Sequence, residues 1–167
     1  MDNPLVVVNS TPLILLNQID RLDLLQKMYK KIFIAEAVYR EVIVDGESNL
    51  VDGDFISRNN WIEVSKIQND DARKTFITSL HIGEVETMIL AMEKSADLCI
   101  LDDLLARKHA KRLNINIIGT LGVLIAAKKM NHLDAVKPLL DQLVYSGMFI
   151  SDTLYKTALS AANETID

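Results

Sequence analysis

The chain is poor in the residues that mark special environments. Its 167 residues include one cysteine, three prolines and six glycines, and its aromatics are four Phe, four Tyr and one Trp. A single cysteine forms no internal disulfide, and Cys99, set in the apolar run LCIL, reads as a buried small hydrophobe of a reducing cytoplasm. Scarce Pro and Gly, beside 49% hydrophobic and 25% charged residues, exclude collagen-like, low-complexity and disordered classes. No basic segment followed by a long apolar stretch opens the sequence, and the run IIGTLGVLIAA is too short to cross a bilayer. The expectation is a soluble, cytoplasmic protein with no export signal and no membrane partner. The scattered aromatics offer no base-stacking platform. A net charge of -5 argues against nonspecific wrapping of nucleic acid, while leaving room for a local basic patch. Also missing are a Walker motif, since Gly119-Thr-Leu-Gly122 lacks the following Gly-Lys-Ser/Thr, a nucleophile elbow and a redox CxxC. His81, His109 and His132 have no zinc-binding spacing, and His81 reads as a residue that starts a helix.

What is present is alternation. A chain of this length fits one domain, 1–167, and hides roughly 70% of its unfolded surface. Five β-rich runs stand out: Leu5 to Val8, Lys31 to Ile34, Trp61 to Val64, Leu98 to Leu101 and Ile115 to Ile118. Helical patterns separate them. Asp20 is placed to cap a helix carrying Leu22, Leu24, Leu25 and Met28; further helices span Ala35 to Val44, Glu84 to Lys94 and Leu104 to Leu113. After Thr120 only helices follow, the last from Ser151 to Glu164. The segment Asp45 to Asn60, with GES and DGD, reads as a mobile loop. The fold class expected is α/β, a three-layer α/β/α sandwich around a central parallel sheet of about five strands.

The stretch VVVNSTPLILL turns from β-branched residues through a polar corner into a helix with Pro12 in its first turn. A corner just past the C-terminal end of a parallel strand is where open α/β sheets place their chemistry. Asn9 ends the first strand there, and Asp102 and Asp103 end the strand LCIL in the same way. Helical periodicity places Glu84 beside the stripe of Val85, Met88, Ile89 and Met92, with Glu86 pointing to the opposite side. Glu41 borders the buried face made by Ala35, Val38 and Val42, whereas Glu36 faces solvent. Each of these residues also has an ordinary reading: Glu84 and Asp103 as complements of a helix dipole, Asn9 as a cap, Glu41 as a solvated ion-pair partner. Convergence favours function. Carboxylates gathered at one rim repel by about 4 kcal/mol gross per pair at 4 Å and a dielectric near 20, and a divalent cation removes that penalty. Oxygen-only ligands suit Mg²⁺ or Mn²⁺.

These residues, in this order, resemble the PIN (PilT N-terminus) domain family, the ribonuclease fold shared with VapC-type toxins. The likeness rests on NSTPLI, where the family has Asp-Thr-Ser-x-Leu-Ile, on Ala37 to Val42, on Gly83-Glu84-Val85-Glu86, on Leu101-Asp102-Asp103 with Ala106-Arg107, and on Ile118 to Gly122. It resembles a bacterial and archaeal branch of predicted nucleic-acid-binding proteins. The resemblance implies one or two Mg²⁺ or Mn²⁺ ions that activate water against an RNA phosphodiester, held by Asn9, Glu41, Glu84 and Asp102 or Asp103, with Thr11 and Thr120 lining the site. It further implies an RNA substrate, a cognate antitoxin, and a homodimer or higher oligomer. Asn9 departs from the pattern: an amide is neutral and offers one oxygen, so metal binding weakens. The alternative to a ribonuclease is therefore an impaired PIN protein that binds RNA or protein without cutting. Arg107, Lys108, Lys111 and Arg112, with Lys128 and Lys129 on a later helix, are candidate phosphate contacts, or a solvated helix face on which Arg107 pairs with Asp103.

Overall fold

The computed structural model describes residues 3–45, 54–76 and 78–166. In chain order the elements are β1 (Val6–Val8), α1 (Ser10–Gln18), α2 (Asp23–Tyr29), β2 (Ile32–Ala35), α3 (Glu36–Tyr39) running into a π-helical turn (Arg40–Val44), α4 (Phe55–Arg58), β3 (Ile62–Ser65), a 3₁₀ segment (Asp70–Thr75), α5 (Ile82–Glu93), β4 (Leu98–Ile100), α6 (Leu104–Arg112), β5 (Ile117–Ile118), α7 (Thr120–Lys129), α8 (Lys137–Tyr145) and α9 (Asp152–Ala161). The five strands form one parallel sheet in the order β3-β2-β1-β4-β5. This is the expected three-layer arrangement: α1 and α2 meet α7 on one side, while α5 lies along β1, β2 and β4 with α3 and α6 beside it.

Burial explains the strand choices. Val6, Val7 and Val8 are wholly enclosed and register against Leu98, Cys99 and Ile100. A strand covered on both faces has no polar alternation to keep, so its sequence reads as a continuous β-branched run. Burial also pushes the Cys99 thiol up to about 12, which leaves it inert. The chain winds from β1 outward to β3, then returns to β4 on the other side of β1. The switch point thus falls between the C-terminal ends of β1 and β4, where Asn9 and Asp102–Asp103 follow their strands.

Several local expectations are corrected. Asp20 does not cap α2; it sits at φ 53 at the end of α1, and Leu22 is the N-cap of α2, with Asp23 in the first turn. An Asp tolerates that left-handed position, which lets the chain reverse between two short helices. The helix expected over Ala35 to Val44 is a single α turn followed by the π turn. Of the presumed loop Asp45 to Asn60, residues 46–53 lie outside the described residues, and Phe55–Arg58 form α4 around a buried Phe55. Among the described residues, no helix is long and apolar enough to cross a membrane.

Candidate active site

Asn9 leaves β1 with its backbone N–H still in the sheet, donating to the Ile100 carbonyl at 3.0 Å. Its side chain is 2% exposed and makes no cap bond to α1, which corrects the capping reading. Instead Oδ1 accepts from the Thr87 hydroxyl at 3.3 Å, so α5 orients this amide from below. Among the described residues the Asn9 amide nitrogen has no further hydrogen-bond partner.

Glu41 sits in the π turn. One oxygen accepts from the Ser10 hydroxyl at 2.7 Å and the other from the Gly83 backbone N–H at 3.0 Å. Position 83 accepts glycine alone without displacement, because a Cβ there would stand 2.6 Å from Glu41 Oε2 and 2.7 Å from Cδ. Glu84, the next residue, reaches back to accept from the His81 backbone N–H at 3.0 Å, the Glu half of a capping box that starts α5. Burial lifts the Glu84 carboxyl above its usual range; the His81 N–H opposes the rise, while the negative charges of Asp103 and Glu41 add to it. Asn9, Ser10, Thr11, Ile14, Glu41, Asp45, His81 and Glu84 line one cavity of about 420 Å³.

The two aspartates part company. Asp102 is clamped to the start of α7, accepting from the Thr120 N–H at 2.8 Å and the Thr120 hydroxyl at 2.6 Å. It lines a separate apolar groove with Leu104, Leu121, Phe149 and Leu154. Thr120 therefore engages Asp102 and does not line the cavity, whereas Thr11 does. Asp103 caps α6 through the Ala106 N–H at 2.8 Å, which occupies Oδ1, and its charge is felt at Glu84. Among the described residues no three acidic, histidine or cysteine side chains stand together closely enough to hold a metal ion by themselves. Nor does any of Glu41, Glu84, Asp102 and Asp103 pair with a lysine or arginine there. The structure thus gathers Asn9, Glu41 and Glu84 in one hollow, sets Asp103 within electrostatic range, and turns Asp102 aside.

Those donors are all oxygens. Mg²⁺ keeps several waters and takes only one or two protein carboxylates, with substrate phosphate completing its shell, so a Glu41–Glu84 pair beside an amide fits such an ion without a three-acid cage.

Of the basic candidates, Lys108, Lys111 and Arg112 are exposed on α6. The Arg107–Asp103 pair does not form: the guanidinium turns back to donate to the Leu101 carbonyl at 2.9 Å, since Asp103 is committed to its cap. Lys128 is held by Glu164 at 2.7 Å. Sequence reasoning missed Ser10, Gly83 and Thr87 as orienting groups. It also placed Glu86 away from the buried stripe, but Glu86 is itself buried, accepting from the Ala37 N–H at 3.0 Å and from Arg73. Residues 9–10 and 83–84 lie inside quoted motifs, yet nothing in a single sequence shows that the two motifs touch.

The sequence matches the family DUF3368, described as PIN domain, over residues 5–164. No curated protein matches it. Among solved structures it is similar to a PilT N-terminus domain protein, SSO1118, from the hyperthermophilic archaeon Sulfolobus solfataricus P2. That likeness has a TM-score of 0.56 at 18% identity, covers 74% of this chain and 93% of that one, and speaks to the fold. The family match spans nearly the whole chain and agrees with the sheet order and the acid-bearing elements, and the chain belongs to the PIN domain family.

Proposed function

We propose that the protein is a Mg²⁺- or Mn²⁺-dependent ribonuclease that hydrolyses RNA phosphodiester bonds at the cavity of Asn9, Glu41 and Glu84. Membership of the PIN family points to a nuclease-type function, and PIN domains generally use divalent metal ions. The observation that carries the finer reading is Glu84: a carboxylate lining the same cavity as Glu41, whose proton affinity is raised first by burial and then by Asp103 and Glu41, and which pairs with no lysine or arginine among the described residues. Such a group is costly unless something positive completes it.

In this reading Glu41, Glu84 and the Asn9 amide oxygen hold the ion, and Asp103 adds charge at the rim. When bound, the ion supplies Lewis acidity and lowers the pKa of water. The chain's own groups do the rest. Ser10 and Gly83 aim Glu41; Thr87 aims Asn9; the His81 N–H engages Glu84 Oε2 and would leave Oε1 for the ion. The exposed Lys108, Lys111 and Arg112 hold backbone phosphates further along the helix that Asp103 starts. The reading extends to a toxin held by a cognate antitoxin and to a homodimer, for which exposed Leu104, Tyr145, Phe149 and Leu154 supply apolar surface.

A second reading has its own support. Asn9 is neutral and buried where the family has an acid, and the acids that line the cavity with it, Glu41, Asp45 and Glu84, form no cluster able to hold a metal ion by themselves among the described residues, which favours a module that binds RNA or protein without cutting. Cleavage of single-stranded RNA with Mn²⁺ separates the two. The nuclease reading expects cleavage by the wild type, abolished by Glu84→Gln and enhanced by Asn9→Asp; cleavage by Asn9→Asp alone selects the binding module.

A further inference from the structure

We propose that Arg73 and Glu86 form a positioning device for Glu41: by holding the start of α3 against α5, the pair fixes the π turn that carries that carboxylate. Its functional consequence rests on the nuclease reading above; its geometry does not.

Glu86 lies in the middle of α5 and is 3% exposed, a depth at which carboxylates are rare. Its Oε2 accepts from the Ala37 backbone N–H in the first turn of α3 at 3.0 Å. Its Oε1 accepts a two-pronged contact from the Arg73 guanidinium, through Nε at 3.0 Å and through Nη2. Arg73 comes from the 3₁₀ segment and also pairs with Asp70 at 3.1 Å. None of these groups lines the cavity.

The need for such a device follows from the local structure. α3 is one turn long, and the five residues after it wind as a π helix, a form with weak intrinsic preference that usually occurs at functional sites. A segment this short does not hold its own geometry. Helix α5 supplies two grips on it, three residues apart: Gly83 N–H on Glu41 at the far end and Glu86 on Ala37 at the near end. The near grip depends on Arg73, because its guanidinium holds Glu86 Oε1 and so fixes the carboxylate plane that presents Oε2 to the Ala37 N–H. Charge from outside the sheet layers is thus relayed through Glu86 to the backbone that bears Glu41.

The test is amide hydrogen exchange by NMR on the full chain, comparing the Gly83 N–H, which reports Glu41 in place, with the Asn9 N–H, which reports the sheet. In Arg73→Ala the Gly83 amide is expected to exchange about tenfold faster or more relative to Asn9. Arg73→Lys, which keeps a charge without the fork and spares folding, is expected to give a smaller rise of the same kind. Mn²⁺ affinity, read by calorimetry on the same variants, is expected to fall about 10–100-fold, as for groups that orient a ligand. An unchanged Gly83 amide, or equal acceleration at Gly83 and Asn9, overturns the proposal. If Gly83 behaves as expected while the wild type binds no Mn²⁺, the positioning role stands and the metal-dependent reading falls.

Discussion

Replacing Gly83 by alanine separates the geometry of the site from ordinary helix chemistry, because the two predict opposite signs. In the first turn of α5, Gly→Ala lowers unfolded-chain entropy and improves helix propensity, which by itself stabilises by about 0.4–1 kcal/mol. Here the new methyl would lie 2.6 Å from Glu41 Oε2 and 2.7 Å from Cδ. Ordinary contact needs roughly 3.5 Å, so the carboxylate must retreat by about 1 Å. Retreat breaks the charge-assisted bonds from Ser10 and the Gly83 N–H. Each such bond is worth about 1.5–3 kcal/mol, and a half-exposed carboxylate recovers part of that from water. The net expectation is a loss of about 1 kcal/mol, or about 2–4 °C in Tm for a domain of this size. The fold survives, since what moves is the end of a flexible side chain, and Mn²⁺ affinity falls at least about tenfold. Thermal unfolding and calorimetric Mn²⁺ titration read both effects. A variant with raised Tm and unaltered Mn²⁺ binding would refute the placement of Glu41.

Three further outcomes follow from the same geometry. Glu84→Gln keeps an acceptor for the His81 N–H but removes a carboxyl whose folded pKa is raised. Because the folded state holds that proton more tightly, the native Glu84 costs stability as pH rises past the ordinary carboxylate range, and the cost is complete above its raised value. The variant is therefore expected to melt higher than wild type at neutral pH and equally at low pH, as seen in calorimetric scans across pH. Asn9→Asp adds a further carboxylate to the cavity of Glu41, Asp45 and Glu84 at a position 2% exposed; without divalent ions stability drops by about 1–3 kcal/mol, and millimolar Mn²⁺ restores it. Thr120→Val deletes the 2.6 Å bond to Asp102 and costs about 2 kcal/mol, or about 4–8 °C, with RNA cleavage retained because Asp102 serves α7.

How much of this was legible in the sequence divides along the range of the interaction. The five strands announce themselves through β-branched runs and polar corners, and the Glu84–His81 bond spans three residues, within reach of any helix-start rule. Ser10 meets Glu41 across 31 positions, Glu41 meets Gly83 across 42, and Ala37 meets Glu86 across 49. Periodicity carries no information about such pairs. It also assumes a regular 3.6-residue winding, which the π turn at Arg40–Val44 breaks just where Glu41 is placed. Glu86 shows the same limit: a charged residue that helical periodicity sets opposite the apolar stripe is enclosed because Arg73, from another segment, supplies its counter-charge. What Asp102 and Asp103 each engage likewise shows only in three dimensions, where Thr120 takes one and the start of α6 takes the other.

Anomalous diffraction from a crystal soaked in Mn²⁺ tests the central claim most directly. The account predicts a peak in the cavity between the Glu41 and Glu84 carboxylates and the Asn9 amide oxygen, lost in Glu84→Gln. Absence of a peak at millimolar Mn²⁺, or a peak confined to Asp102 beside the apolar groove, would contradict it.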